Sequence, residues 1–430
     1  MGTKLDRIAE ISKENANMQF TSIYHLIDKE LLIKCHKELD KNKAMGVDGI
    51  CKEEYGTNLE ENINDLVKRL KSKSYKPMPT LRTYIPKSNG KQRPLGIACY
   101  EDKIVMLALK KLVEAVFEPR FLDAMYGFRP KRGCHEALKA LNWVIEKNRI
   151  NWVIDADISG FFDGISHEKL MKCVEMRIKD PNVLWLIRKF LKAGLMEKGE
   201  YRDTEEGAVQ GSNLSPVLSN IYMHYMLVLW FYKEVRPTMT GQCFLVVYAD
   251  DSVCCFQNKW EAEKFYEMLK ERLKIFGLEL AESKSRMIEF GRFAQENTKG
   301  RKPETFDFLG FTHYCGKSQK GKFRVKRKTS RKKYREKVRN FKEWIKQNRS
   351  MPLKELMPKV KSKLNGHYNY YGITDNYPMT NQFFNIVTYL IFKWLNRRSQ
   401  KKSYTTRGFN EMLKYYPLPS PSIRVNIYER

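Results

Sequence analysis

Apolar residues along this chain recur with two periods, and the period marks the element. Leu59, Ile63, Leu66 and Leu70 fall three to four apart, which predicts an amphipathic helix over residues 53–73. Residues 101–118 and 259–276 carry the same pattern, and residues 1–45 read as helical and charged. Pro77 and Pro79 forbid a helix interior where they stand. "TYIPKSNGKQRPLGI", ending at Ile97, predicts two short strands about a Ser88-Asn89-Gly90 turn. Trp152 to Ile158 suits a buried strand, with a helix after His167 and helices alternating with loops beyond it. "LVVYADDSVCCF", Leu245 to Phe256, is apolar for the length of two strands and broken only in its middle. It predicts a β-hairpin turning at Ala249-Asp250-Asp251.

That break needs a chemical reason, because two like charges at the tip of a buried hairpin repel each other. Asp is a frequent turn residue, so the pair fits a plain turn. It also fits a site for a divalent cation, a hard ion that takes oxygen ligands and would cancel the repulsion. Such sites usually draw a third carboxylate from a separate strand. Asp157, on the predicted strand, is the candidate; its other reading is a salt-bridged acid on an edge strand. Two Mg²⁺ held by carboxylates of neighbouring strands would serve phosphoryl transfer: one activates a 3′-hydroxyl and the other stabilises the departing pyrophosphate.

Charge narrows the partner. The 430 residues, enough for two or three domains, carry a formal charge of +29 from 79 Lys and Arg against 50 Asp and Glu. An excess of this size points to a polyanion, nucleic acid ahead of an anionic membrane. The N-terminal residues have no apolar core of signal-peptide type, and no segment approaches the 18 apolar residues of a membrane span. Nine cysteines are scattered without a C-x-x-C pair, which argues against zinc or disulfides and for reduced thiols in a cytosolic protein. Residues 316–350 hold 16 Lys or Arg against two Glu, and this shift places a domain boundary near 315.

The order of the blocks carries more than any one of them. "GVDGI", "YIPKSNGKQRPLGI", "YGFRPKRGCHEAL", "DADISGFFDGISHEKL", "QGSNLSP", "YADD", "FDFLGF" and "KWLNRRSQKKSY" follow one another along nearly the whole chain. In this succession the sequence resembles the bacterial group II intron reverse transcriptase/maturases. The resemblance implies that Asp157, Asp250 and Asp251 are the metal-binding carboxylates, with the Ile158 backbone carbonyl as a further oxygen. Of the two turn acids it makes Asp250 the safer ligand, and it leaves Asp155 and Asp163 outside the matched position, as structural acids. Lys87 and Arg93 would fold over the incoming triphosphate, as a point charge and a bidentate fork; a solvated hairpin tip is the plain alternative. Gln210 and Gly211 match the segment under nucleotide and template, although Val209 stands where the family usually has proline.

By the same resemblance Phe162 blocks the 2′-hydroxyl of the incoming sugar, while Phe161 packs in the core. Lys284 fits a proton donor to pyrophosphate or a solvated lysine, and Leu309-Gly310 fit a primer-holding turn or an amphipathic strand. Lys326, Arg327, Lys328, Arg331 and Lys332 would contact nucleic acid from a helical thumb, or else form a solvated helix face. The tyrosines of "LNGHYNYYG" read mainly as core.

The expected molecule is an α+β right-hand polymerase. Its parts are an N-terminal helical extension (1–45), fingers and palm (46–315), a helical thumb or maturase domain (316–390) and a basic tail (391–430). It would copy RNA into DNA from dNTPs and a DNA primer or target, with Mg²⁺ or Mn²⁺, in a cytoplasmic bacterial ribonucleoprotein with structured intron or non-coding RNA. No His/Asn/Cys endonuclease cluster follows the thumb, which fits the endonuclease-less type. Two other classes stay open: an RNA-binding splicing factor with secondary polymerase activity, and an intron-like enzyme recruited to antiviral defence or repair.

Overall fold

The computed structural model describes residues 4–86, 92–197, 199–203, 206–207, 211–294, 302–399 and 403–429. Lys87 and Gln210, and with them the turn at 88–90 and Val209, lie outside the described residues. The chain begins with helices α1 (Lys4–Glu14), α2 (Lys29–Glu38), α3 (Lys52–Thr57) and α4 (Leu59–Lys71). The antiparallel pair β1 (Thr80–Pro86) and β2 (Gln92–Ile97) follows, then α5 (Tyr100–Phe117) and α6 (Cys134–Lys147). Next come β3 (Trp152–Asp157), α7 (His167–Glu175), α8 (Pro181–Leu191), β4 (Leu195–Glu197), β5 (Glu200–Arg202) and α9 (Ser215–Met223). The hairpin β6 (Cys243–Tyr248) and β7 (Asp251–Phe256) leads to α10 (Lys259–Ile275) and β8 (Arg286–Glu289). The last strands are β9 (Phe306–Phe308), β10 (Phe311–Lys317) and β11 (Phe323–Thr329). Helices α11 (Arg331–Asn348), α12 (Leu353–Tyr371), α13 (Tyr377–Leu395) and α14 (Thr406–Tyr415) end the order.

Three sheets result, ordered β2-β1-β4-β5, β6-β7-β3-β8 and β11-β10-β9. The middle sheet explains the unbroken apolar runs. Alternate residues of a strand face opposite sides, and here both sides are covered. Ile154, Ala156, Cys254 and Phe256 enter a core shared with α5, α9 and α10. Val153, Val253, Cys255 and Ile288 enter a second core with α6 and the β9–β11 sheet. A third core joins α11, α12, α13 and α14. Ile63, Leu66 and Leu70 are buried on one face of α4, as their spacing predicts.

Several expected boundaries move. Position 315 falls inside β10, because the basic composition begins partway along a hairpin that packs on α6. Residues 4–39 are no separate extension: Ser12 Oγ donates to the Val116 carbonyl of α5, and Phe20 and Leu32 lie in the first core. Position 390 falls inside α13, and the expected tail is folded. Phe409 and Met412 of α14 are buried in the third core, and Val425 pairs with Ile373. The short strands β4 and β5 stand where helices and loops were expected; at three residues each they offer no period to read.

The basic run also changes character. Residues 323–329 form a strand rather than part of a helix, so its side chains alternate. Val325, Arg327 and Thr329 are buried, whereas Lys328 is exposed. The expected nucleic-acid contact at Arg327 is therefore corrected. Its guanidinium is 0% exposed, donates to Asn142 Oδ1 and lies under the Tyr428 ring, and burial lowers its pKa. Arg327→Ala should cost about 1–3 kcal/mol of stability, since Asn142 would keep a buried acceptor without its donor. Lys328→Ala, which removes only an exposed lysine lying over the Tyr314 ring, should cost under about 1 kcal/mol. Denaturant unfolding of both variants measures the difference.

Candidate active site

Register brings the acids together. Asp157 at the end of β3 stands directly opposite Asp251 at the start of β7, and Asp155 stands opposite Val253. Asp155, Asp157 and Asp251 share strand parity with Val153 and Val253, so all three sit on the face turned toward α6 and the β9–β11 sheet. Asp250 occupies the turn between β6 and β7, and Ala249 before it takes a left-handed φ of 56°. That conformation is uncommon for a residue with a side chain, and the neighbouring segment holds it. Tyr126 N donates to the Val247 carbonyl at 2.9 Å and Val247 N to the Ala124 carbonyl at 2.8 Å. A Cβ on Gly127 would lie 2.3 Å from Ala249 N, so only glycine lets this segment lie against the turn. "YGFRP" thus acquires a positioning role that its sequence did not reveal.

Electrostatics record the crowding. Asp251 keeps solvent contact, yet the protein packed about its carboxyl, with repulsion from Asp250, Asp157 and Asp155, pushes its pKa up to about 7. Burial raises Asp250 as well, with Asp157 adding to the rise and Arg93 and Lys284 opposing it. Lys284 Nζ lies 3.2 Å from Asp157 Oδ2 and stands in for a cation there. Burial lifts Asp155 to about 6; Arg286, its cross-strand neighbour, opposes that rise, in keeping with a structural acid. Asp163 is exposed on the turn after β3.

An all-carboxylate donor set with a lysine in the cation's place fits a hard divalent ion. Among the described residues, no three His, Cys, Asp or Glu side chains close into a finished metal cage. Ile158 pairs with Leu280 between the Ser159 N to Glu279 O and Ala281 N to Asp157 O bonds, which leaves its own carbonyl outside that ladder.

Other expected site residues surround the acids. Arg93 is exposed on β2, within electrostatic reach of Asp250. Gly211, at φ 101°, presses on β2: a Cβ there would meet the Gly96 carbonyl oxygen at 2.9 Å. Phe161 is 2% exposed, and the part-exposed Phe162 ring stands edge-on to it at 5.4 Å and to Phe128 at 6.5 Å. Neither phenylalanine is on a strand: β3 ends at Asp157, and Gly160 at φ 52° opens a turn. Phe128 is half exposed at φ 57°, an aromatic beside Phe162 to which the sequence assigned no role. Leu309 and Gly310 form a left-handed turn before β10, and Tyr370 Oη donates to the Leu309 carbonyl at 2.9 Å. A cavity of about 790 Å³ joins Asp251 and this turn to Lys333, Lys337 and Lys363 of α11 and α12. Arg331 and Lys332 are exposed at the start of α11, while Tyr368 and Tyr371 are core.

An antiparallel sheet with facing acids, a turn acid and a helical wall opposite is the arrangement expected of a nucleotidyl-transfer polymerase palm. Residues 85–313 match the family model "Reverse transcriptase (RNA-dependent DNA polymerase)", and the chain belongs to that family. Residues 331–413 match "Group II intron, maturase-specific domain", a span that crosses the expected boundary at 390. The chain is 39% identical over 222 residues to the group II intron-encoded protein LtrA of Lactococcus lactis subsp. cremoris, covering 51% of this chain and 37% of that one. It is 41% identical over 182 residues to protein YkfC of Escherichia coli K12, covering 42% and 48%. The chain thus spans less than half the length of these curated relatives. Reverse transcriptases as a family use divalent metal ions. No helix among the described residues is long and apolar enough to cross a membrane.

Proposed function

We propose that this chain is an RNA-directed DNA polymerase that copies structured RNA into cDNA and, through its maturase region, binds and assists a group II intron RNA in a ribonucleoprotein. The observation that carries the reading is the facing pair Asp157 and Asp251, with Asp250 at the adjoining turn and Asp251 on the wall of the thumb-lined cavity. Two Mg²⁺, with Mn²⁺ as a substitute, would be held by Asp157, Asp250 and the Ile158 carbonyl, with Asp251 as the outer acid. When bound, such ions polarise the primer 3′-hydroxyl and neutralise the developing pyrophosphate charge.

The chain's own groups do the rest. Arg93, with Lys87, would grip the triphosphate, and Lys284, 3.2 Å from Asp157, would give a proton to the departing pyrophosphate. Gln210 and Gly211 support nucleotide and template, and Phe162 fills the space where a 2′-hydroxyl would sit. Leu309 and Gly310 hold the primer end. Lys328, Arg331 and Lys332, with the α11 and α12 lysines, take the duplex backbone. The direct test is primer extension on an RNA template with dNTPs, with and without chelator. Absence of extension in Mg²⁺ and Mn²⁺ alike would defeat the polymerase reading.

Proton linkage gives a second check. Asp251 rises from 3.8 to about 7 in the folded chain, so between those values the folded state holds a proton that the unfolded state has released. Metal-free stability should therefore fall as pH rises from about 4 to 7, and added Mg²⁺ should restore it at the upper end. Melting curves in chelator and in MgCl₂ at both ends of the window measure this. Asp251→Asn should make the chelator curve less steep without levelling it, because burial raises Asp155 and Asp102 as well; an equally steep fall in that variant would show that those groups cause it.

A further inference from the structure

A second basic surface lies at the far end of the β10–β11 hairpin. From Phe311, beside the primer-holding turn, to Lys317 the strand takes six steps of about 3.3 Å, roughly 20 Å away from the cavity of the acids. There a cavity of about 1340 Å³ is walled by the hairpin tip, the C-terminal end of α6 and Arg292 after β8. The tip reads "KSQKGK", with Lys317, Lys320 and Lys322 exposed. Lys147, the last residue of α6, and Lys326 add to the same wall.

The acids in this wall are already engaged. Glu146 is 8% exposed; it accepts from Val325 N at 2.8 Å and pairs with Arg324 at 3.7 Å. Asp375 accepts from Tyr428 Oη. No ion pair forms at Lys147, Lys317, Lys320, Lys322 or Lys326 among the described residues. The turn itself does not need lysine. Ser318 N bonds the Lys322 carbonyl at 2.8 Å, Gly321 N bonds the Ser318 carbonyl at 3.0 Å, and Gly321 supplies φ 74°. Edge protection of the sheet accounts for charge along β11, and a helix C-terminus accounts for Lys147. Neither accounts for three more cations on the tip, converging with Arg292 from another element on one concave surface.

We infer that this groove binds the phosphodiester backbone of structured RNA held outside the catalytic cleft. The inference deepens the proposed function, since it rests on that reading for RNA as the partner. Point charges spaced along a groove suit phosphates. The cation positions are fixed by a hydrogen-bonded hairpin, so less order is lost on binding than from a free tail.

The test is a triple variant, Lys317→Ala/Lys320→Ala/Lys322→Ala, in the full chain. Two probes are used: a labelled RNA hairpin with no recessed 3′ end, and a short recessed template–primer that fills only the cleft. Hairpin binding should weaken about tenfold or more near 0.1 M salt, and its log–log salt slope should flatten by about 2 to 3. The corresponding triple Lys→Arg variant should bind as the parent does, and extension of the short template–primer should be unchanged in both. Unaltered hairpin binding would overturn the inference and leave a solvated turn. Parallel loss of extension on the short duplex would also overturn it, by assigning the groove to the cleft's own substrate. Binding is read without catalysis, so a chain that binds the hairpin but never extends a primer would defeat the polymerase reading and not this one.

Discussion

Asp157→Asn and Asp250→Asn chains are expected to lose roughly a thousandfold or more in primer extension while binding RNA nearly as well as the parent. Each change keeps the side chain's shape and removes the charge that would hold a metal ion. Losing several kcal/mol of transition-state stabilisation corresponds to at least three decades in rate. Folding is not at risk from either change. The Lys284–Asp157 pair is solvent-exposed, and such pairs contribute about 0–1 kcal/mol. Asp250 carries repulsion that Asn relieves, so the metal-free variant should melt no lower than the parent. Asp155→Asn is the internal control: it lies on the same strand and face but opposite Arg286, and should retain extension. Single-turnover extension at saturating Mg²⁺, beside RNA titration, measures all three. Near-normal extension by Asp157→Asn would sink the assignment of the site.

How far the sequence reached follows from burial geometry. The hairpin about Asp250 was legible because both faces of the middle sheet are covered, which makes its strands read as unbroken apolar runs in which an acid stands out. Asp157 was legible for the same reason. The region after 315 was not, because charge masks period: Arg324, Lys326 and Lys328 alternate with Val325, Arg327 and Thr329, and a buried arginine in a basic run looks like its neighbours. Gly127 was illegible for another reason. Its role depends on a contact with Ala249, 122 positions along the chain, and no local pattern encodes that contact. The stretch beyond 390 read as a basic tail, yet Phe409 and Met412 fill the third core and Ile427 the second.

The choice of sugar tests the finest part of the site. Phe162→Val should admit ribonucleotides, lowering the dGTP over GTP ratio of kcat/KM by about 10- to 100-fold while largely sparing deoxynucleotide use. A ring edge excludes a hydroxyl sterically, and relieving an overpacked contact of that kind is worth about 1–3 kcal/mol. The surroundings of the ring support the assignment. Phe162 is part-exposed and stands edge-on between buried Phe161 and half-exposed Phe128, so its position is braced without being closed off from solvent. Phe161 is the control. It is set apart by burial beside Tyr222, at 6.4 Å between rings. Phe161→Val should therefore cost stability, by about 1–3 kcal/mol, and leave sugar choice alone. Phe128→Ala should fall between the two, because it removes one brace and leaves the gate ring in place. Unchanged selectivity in Phe162→Val, or relaxed selectivity only in Phe161→Val, would put the gate on the wrong ring.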